Sequence, residues 1–293
     1  MPGTKEIRRR IRSVISIQQI TRAMEMIAVS RLKRAEDRLR SARPYAEKIR
    51  ELMESLAPCL PRVDHPLLVK REVKKVALTL ITSDKGLCGG YNTNALSQAT
   101  KFIDAHSDKE IRLILVGRKG FDFFRRKGYP IDHSLLQLSK EISLQEVKGV
   151  SGAIIKGFEE ARYDEVHLIY THFQSPMVTR PTLMKLLPLE SSEVLKKGTG
   201  VTGEPIFEPS AEEIMALLLP RYLEAQIYKG LVESVASEQG ARMVSMKSAT
   251  ENAEEMISTL TLSYNKARQA GITKELLEVT TGAEVLRFAQ GKK

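Results

Sequence analysis

The sequence has few cysteines and aromatic residues, and it has no tryptophan. Its 293 residues include 2 cysteines, Cys59 and Cys88, which exclude a disulfide scaffold and a zinc site built from several cysteines. Aromatic residues make up only 5% of the chain, which is little for the core of a large compact enzyme. There is no run of 18 apolar residues and no apolar secretory signal at the N-terminus, so the chain is predicted not to cross a membrane by itself.

Positive charge is concentrated near the N-terminus. Residues 1–50 contain 14 Lys or Arg and 5 acidic residues, whereas residues 211–293 contain 10 basic and 11 acidic residues. Since the net charge of the whole chain is +10, the first segment carries nearly all of the excess. Nucleic acid phosphates, an acidic protein surface and plain solvent are all possible surroundings for such a segment.

Long helices are predicted at both ends of the chain. From Thr4 to about Leu56 there is no glycine, and apolar residues alternate at spacings of three and four, which is typical of a coiled-coil seam. A second helix is predicted to begin at Ser210, where Ser210 and Glu213 form a capping box. Pro220 is expected to bend this helix or to restart it after a short first piece. In the first helix the predicted seam includes Ile7, Ile11, Val14, Ile20, Met24 and Ile27, and it continues from Leu32.

The middle of the chain alternates between predicted strands and helices. Three short, β-branched apolar runs are predicted as buried parallel strands: Val76–Ile81, Ile111–Val116 and Val166–Tyr170. Helices are predicted at about 93–105, 119–127 and 143–161, and a hairpin at 176–188. The predicted fold is α/β plus a long antiparallel coiled coil, in which the two end helices form a rod and a small Rossmann-like α/β domain lies between them. The predicted parts are an N-terminal helix at 1–57, the α/β domain at 73–190, a linker at 191–209 and a C-terminal helix at 210–290.

A glycine-rich segment, residues 83–94, is the sharpest candidate for a ligand site. It lies between a predicted strand and a predicted helix, where backbone N–H groups could hold a phosphate. It lacks the spacing and the terminal lysine of a P-loop, and a tight turn with several positive-φ residues is the alternative. The five histidines, at positions 65, 106, 133, 167 and 172, show no spacing that would activate Cys88 or bind a metal. We therefore predict no catalytic residue, no cofactor and no metal site.

Several stretches together resemble the gamma subunit family of ATP synthases. The N-terminal helix of that family is similar to residues 7–35, which contain ITRAMEMIA at 20–28. Its glycine-rich segment resembles DKGLCGGYN at 84–92. Its C-terminal motifs resemble ASEQGARMVSMKSATENA at 236–253 and YNKARQAGITKE at 264–275, followed by GAE at 282–284. The resemblance extends from end to end, although Gly240 and Gly271 stand where we would expect alanine.

The resemblance implies a non-catalytic subunit, the central rotor stalk that couples proton-driven rotation of a c ring to the conformational cycle of beta-subunit sites. The implied partners are the alpha, beta, delta and epsilon subunits and the c ring, with no nucleic acid. The implied location is the cytoplasmic face of the bacterial inner membrane, where the chain would be peripheral and held through the complex.

The resemblance also implies roles for particular residues. Contact with a beta subunit is implied for Met24, Arg268, Gln269 and Thr273. A basic face directed at acidic loops is implied for Arg8, Arg9 and Arg12, and a turn at the base of the stalk for Gly86, Cys88, Gly89 and Gly90. Two other classes of protein would use the same features: a nucleic-acid-binding coiled coil would use the basic helix, and a phosphate-handling α/β enzyme would use the glycine-rich turn.

Overall fold

A computed structural model of the chain describes residues 4–56, 65–138, 142–189 and 211–290. The chain divides into two compact units. The sheet unit comprises residues 27–244, and the helical unit combines residues 1–26 with residues 245–293. The predicted linker at 191–209 and the predicted cap at Ser210 lie outside the described residues.

The sheet unit is built around a five-stranded, mostly parallel sheet with the order β3-β2-β1-β4-β5. Strands β1 (Lys75–Ile81), β2 (Glu110–Val116), β3 (Ile131–Leu135) and β4 (Glu165–Ser175) are parallel, and β5 (Val178–Leu187) returns antiparallel to β4. The connecting helices are α2 (Tyr91–Ala105), α3 (Arg118–Arg126) and α4 (Leu144–Glu159), and a short 3-10 helix (Pro66–Leu68) precedes β1. The three predicted strands are therefore present. The hairpin predicted within 176–188 is wrong, because residues 178–187 form the single strand β5, which pairs with β4.

Both faces of the sheet are covered, because alternate residues of its central strands enter two different cores. Leu78 and Leu113 pack with residues of α2 and α3 on one face. Ala77 and Ile114 pack on the other face with α4 and with the C-terminal helix. This two-sided burial explains why the central strands are continuous apolar runs in the sequence.

One very long helix, α1 (Thr4–Leu56), precedes the sheet in the chain, and another, α5 (Ala211–Gln290), follows it. Within the sheet unit they run antiparallel, because Leu32 of α1 packs with Ala236 of α5, whereas Met53 shares a core with Met215. The predicted α/β fold with a long antiparallel helix pair is thus confirmed. Among the described residues, no helix has a stretch both long and apolar enough to span a bilayer.

The expectation that Pro220 could restart the second helix is wrong. Helix α5 continues through it as one element. Proline removes only one backbone hydrogen bond, and the adjacent Leu219 and Leu223 are fully buried in the core. Tertiary packing of these leucines therefore outweighs the local cost of the proline.

The seam of α1 also differs from the predicted one. Ile20 and Ile27 are 59% and 53% exposed, while the neighbouring Thr21 and Ala28 are buried. One row of residues on the paired face follows a seven-residue repeat, the spacing that keeps one face of a helix toward its partner. Leu32 and Met53 are buried beside this row. The row consists of Ile7, Val14, Thr21, Ala28, Ala35, Ala42 and Ile49.

The sequence patterns do not predict strand β3, and they predict a strand β4 that is too short. Strand β3, Ile131–Leu135, has the polar residues of a half-buried edge strand, and these hide the apolar signal. Strand β4 was predicted to end at Tyr170 but continues to Ser175, because its second half pairs with β5.

Candidate functional site

The carboxyl ends of β1 and β4 form the place where an open α/β sheet usually binds a ligand. The chain leaves β1 toward β2 on one side and returns to β4 on the other, so a crevice is expected between the two strand ends. In this protein the crevice is occupied by α5. We call this contact the clamp: the turn at residues 82–92, residues 171–176, and residues 230–242 of α5.

The glycine-rich turn of the clamp is held by side-chain hydrogen bonds. Asp84 accepts backbone N–H bonds from Arg118, Gln137 and Leu138 at 2.9, 3.1 and 3.0 Å, so it ties the turn to the start of α3. The positive-φ residues are Leu87 (φ 62°) and Gly89 (φ 53°). The prediction of a tight turn is right, but Gly90 has φ −77° and does not need the freedom of glycine.

Cys88 is a buried part of this turn. Its Sγ accepts a hydrogen bond from Asn92 Nδ2 at 3.2 Å, and Asn92 Oδ1 accepts one from the backbone N–H of Ser83 at 3.0 Å. Burial raises the pKa of the Cys88 thiol, which keeps it neutral. Cys88 is thus placed as a structural residue and not as an activated nucleophile.

Arg242 of α5 closes the turn from the other side. Its guanidinium donates to the carbonyl oxygens of Lys85 and Gly86 at 3.4 and 3.2 Å, and it forms an ion pair with Glu238 at 2.6 Å. Burial raises the pKa of Glu238, and the charge of Arg242 opposes that rise. The sequence could have revealed this pair, since Glu and Arg four residues apart lie side by side on a helix.

Strand β4 holds the same helix through its backbone. Ser234 Oγ accepts the N–H of Thr171 at 3.1 Å, and Ser237 Oγ donates to the Thr171 carbonyl at 3.1 Å. The next strand residue, His172, pairs through Nδ1 with Glu233 Oε2 at 2.5 Å. Polar side chains of α5 thus extend the hydrogen bonding of β4, and they fix both the position and the rotation of the helix.

Gly240 allows the helix to approach this closely. A Cβ at this position would lie 2.9 Å from Cα of Pro176, which is part of the β4–β5 turn. Alanine is therefore excluded by backbone and not by a side chain that could rotate away. The glycine that the sequence alone left unexplained is a requirement of the contact.

The polar side chains of the clamp bind one another and the backbone. Arg242 binds the carbonyls of the turn, and the described residues contain no group of three or more His, Cys, Asp or Glu that could hold a metal. His65 caps the 3-10 helix, His106 stacks on Phe102, and His172 binds Glu233. The arrangement can attach a helix rigidly to a sheet.

A different kind of surface lies in the helical unit. There Thr250 Oγ1 donates to Thr21 Oγ1 at 2.9 Å and fixes the register of α1 against α5. Thr4, the first described residue of α1, lies 17 positions before Thr21, and the residue 17 positions after Thr250 is Ala267. Helix α5 therefore continues beyond its α1 partner. We call residues 268–283 the tip; its exposed apolar residues are Ile272, Leu276, Leu277 and Val279.

Three of the four residues with an implied beta contact belong to the tip. Arg268, Gln269 and Thr273 are exposed, and Thr273 Oγ1 donates to the carbonyl of Gln269 at 3.0 Å. Met24 is half-buried and lies opposite about residue 247, so roughly 30 Å of helix separates it from Arg268 at 1.5 Å per residue. The structure does not bring Met24 to the other three.

The cations with an implied acidic partner are exposed on α1. Arg8, Arg9 and Arg12 make no ion pair with any described residue, whereas Arg10 between them pairs with Glu6 at 2.8 Å. Three guanidinium groups are therefore available to a partner surface.

Comparison with known proteins gives consistent matches over nearly the whole chain. The family model described as ATP synthase matches residues 3–286. The ATP synthase gamma chain of Heliobacterium modesticaldum is 45% identical over 291 residues, covering 98% of this chain and 100% of that protein. The ATP synthase gamma chain of Pelotomaculum thermopropionicum is 44% identical over 286 residues, again covering 98% and 100%.

Solved structures show the same fold. A chain from the central stalk and c-ring structure of Tetrahymena thermophila mitochondrial ATP synthase is 28% identical and matches with a TM-score of 0.60, over 78% of this chain and 99% of that chain. A chain of the Euglena gracilis mitochondrial ATP synthase in rotational state 3 has a TM-score of 0.67, over 99% and 96% of the two chains. At 16% identity the latter shows the fold alone.

Proposed function

The chain belongs to the ATP synthase gamma chain family, and from this premise we propose that it is the central rotor stalk of an ATP synthase. In this role it couples proton-driven rotation of a membrane c ring to the conformational cycle of the beta-subunit sites. It performs no bond chemistry of its own. The catalytic sites respond because a rotating asymmetric shaft presents different contacts to each of them.

The observation that carries the proposal is the exposed apolar surface of the helical unit. Leu276 and Val279 are 62% and 70% exposed on a helix with no α1 residue beside it. A monomeric soluble protein seldom exposes a continuous apolar stripe, so a surrounding partner is expected to cover it. A ring of subunits around the tip would provide such a cover and would still allow rotation, since the contacts are mainly nondirectional.

Three contact surfaces follow for the proposed complex. The tip residues Arg268, Gln269 and Thr273 contact a loop of a beta subunit, and Met24 contacts beta at a separate level. The basic face of Arg8, Arg9 and Arg12 meets acidic loops that line the cavity, where long-range attraction does not require a fixed register. The turn with Gly86, Cys88, Gly89 and Gly90 belongs to the base of the stalk.

The same proposal gives the chain its partners and location. The alpha and beta subunits surround the helical ends, within 1–57 and 210–290, and the α/β domain at 73–190 lies near epsilon and the c ring. Delta is a further subunit of the complex. The chain is peripheral at the cytoplasmic face of a bacterial inner membrane, and nucleic acid is not among its partners.

Cross-linking in the assembled complex tests rotation of the tip. In a background with Cys59→Ser and Cys88→Ser, the variant Gln269→Cys is combined with a cysteine on the facing beta loop. Oxidation should form a disulfide where the Cα atoms approach within about 7 Å, and steady ATP hydrolysis should fall until reductant restores it. The same complex with Gln269→Ser is the matched control. Full ATP hydrolysis and proton coupling in the cross-linked complex would refute a rotor role for this segment.

A further inference from the structure

The sheet unit contains a groove that the rotor role does not use. It has a volume of about 250 Å³ and lies between α1, the end of β4 and α5. Tyr45 of α1, Phe173 of β4 and Tyr228 of α5 contribute three aromatic rings to its lining. This volume suits one small organic molecule or a single long side chain, and it is slightly below the usual range of drug-sized sites.

One charged group in this groove is deeply buried. The Glu233 side chain is 5% exposed, and His172 is its only hydrogen-bond partner among the described residues. His172 is itself 51% exposed at the surface. His172 binds Oε2 of Glu233, so Oε1 has no hydrogen-bond partner among the described residues and can accept a bond from a ligand.

The described charged side chains along the rim are one acid and one base. Glu47 and Lys229 both lie along the lining, and both are exposed. Their opposite charges offset each other in solvent, where exposed pairs contribute little. Among the described charged groups of the lining, Glu233 is therefore the one at the bottom of the groove, and it lies beside aromatic side chains of a kind that binds cations.

We propose that this groove binds an organic cation, a protonated amine or a guanidinium on an apolar stem. The apolar stem packs against Phe173 and Tyr228, and the cation donates a hydrogen bond to Glu233. A ligand bound in this way touches α1, β4 and α5 together. The site goes beyond the rotor function and does not depend on it.

Calorimetric titration of the full chain with 2-phenylethylammonium tests the proposal, with neutral 2-phenylethanol as the matched ligand. The ammonium should bind at least tenfold more tightly than the alcohol, which corresponds to about 1.4 kcal/mol. Glu233→Gln should abolish this preference, whereas Glu224→Gln, on the same helix but outside the groove, should preserve it. Equal binding of the two ligands by the unaltered chain would overturn the proposal.

A second variant keeps the test decisive if Glu233→Gln does not fold. His172→Asn removes the imidazole that competes with the ligand for the Glu233 carboxylate. The ammonium should therefore bind as tightly as before or more tightly. Loss of binding in a folded His172→Asn chain would contradict the proposed contact. The assembled complex identifies the source of the natural cation: exclusion of the probe assigns the groove to a Lys or Arg side chain of a neighbouring subunit, and unchanged binding assigns it to a free amine.

Discussion

In most proteins apolar side chains are buried and polar side chains are exposed, but two stretches of α5 depart from this rule. The clamp buries polar side chains, and the tip exposes apolar ones. In the clamp, Ser234 and Ser237 are fully buried, and Glu233 and Gln239 are nearly so. In the tip, large apolar residues are 50–70% exposed. The buried serines of the first stretch hydrogen-bond to the backbone of β4, whereas the apolar residues of the second have no cover among the described residues. The difference indicates that one region of the helix is attached to the sheet by directional bonds, whereas another presents an uncovered apolar surface.

The chemistry of the two regions fits these two tasks. Hydrogen bonds and ion pairs are directional, so the bonds to Thr171 and to the carbonyls of the turn allow one rotation of α5 against the sheet. Apolar contact is nondirectional and tolerates changes in register. A rotor requires both properties, since torque must enter through a fixed joint and act through a surface that does not lock.

Removal of Arg242 should produce the largest effect on the clamp. Arg242→Met removes the charged partner of Glu238, whose side chain is only 16% exposed and keeps one hydrogen bond, from Gln239 Nε2 at 3.4 Å. The free energy of unfolding should therefore fall by about 3 kcal/mol, measured by urea unfolding of the full chain. Arg221→Met on the same helix is the control, because its ion pair with Glu224 is exposed and should change stability by less than about 1 kcal/mol.

The loss caused by Arg242→Met should also depend on pH. Without the guanidinium, burial raises the pKa of Glu238 above that of the unfolded chain, so the folded state binds the proton more tightly. The deficit should therefore be largest at pH values above the raised pKa and should shrink in acid. Equal losses for Arg242→Met and Arg221→Met at all pH values would show that the clamp does not depend on the buried pair.

Two glycines of α5 provide a matched test of the same comparison. Gly240→Ala places a Cβ against the backbone of Pro176 and should destabilise the chain by about 1–3 kcal/mol. Gly271→Ala has open space around it and should stabilise α5 by up to about 1 kcal/mol through helix propensity. Urea unfolding and amide hydrogen exchange measure both changes. The same sign for the two substitutions would contradict the assignment of a close backbone contact at Gly240.

The sequence predicts the parts of this fold that depend on periodicity. The two long helices and the central strands were predictable because their apolar residues recur over many positions or form continuous runs. The seam near Ile20 was mispredicted, since Thr21 is buried through its hydrogen bond to Thr250. The pattern of apolar residues cannot show that a polar residue such as Thr21 lies in a seam. For the same reason it wrongly places the exposed Ile20 and Ile27 in the seam.

The clamp was hidden for a related reason. Its central residues, Glu238 and Arg242, look like an ordinary exposed helical pair, and their burial depends on a turn some 150 residues away in the chain. The tip is predictable only through the resemblance of its residues to a family. Periodicity predicts that Leu276 lies in an apolar seam, but it cannot show that no α1 residue covers this part of the seam.

Substitutions on the basic face of α1 should weaken assembly with partner subunits without lowering the stability of the chain. Simultaneous Arg8→Glu, Arg9→Glu and Arg12→Glu should change the free energy of unfolding by no more than about 0.5 kcal/mol per site, because all three side chains are exposed and free of ion pairs with described residues. Assembly with alpha and beta subunits, measured by co-purification, should fall strongly. Reversal of Arg118, Lys119 and Arg126 on α3 makes the same charge change and should spare this assembly. Equal loss in both triple variants would show a general effect of charge.

The smallest effect is expected at Cys88, in the turn of the clamp. Cys88→Ser keeps a small acceptor near Asn92 Nδ2, and the buried thiol, whose pKa is raised, has no ionised form to lose at neutral pH. Stability should fall by about 1 kcal/mol or less, and ATP synthesis by the assembled complex should be largely retained.

Asn92→Ala should lower the free energy of unfolding more than Cys88→Ser does, since it removes the acceptor for the backbone N–H of Ser83 and leaves that buried group unpaired. Coupled ATP synthesis and urea unfolding, measured on both variants, decide between these roles. A Cys88→Ser complex that assembles but no longer hydrolyses ATP would mean that the thiol itself, and not the hydrogen-bonded frame around it, is required.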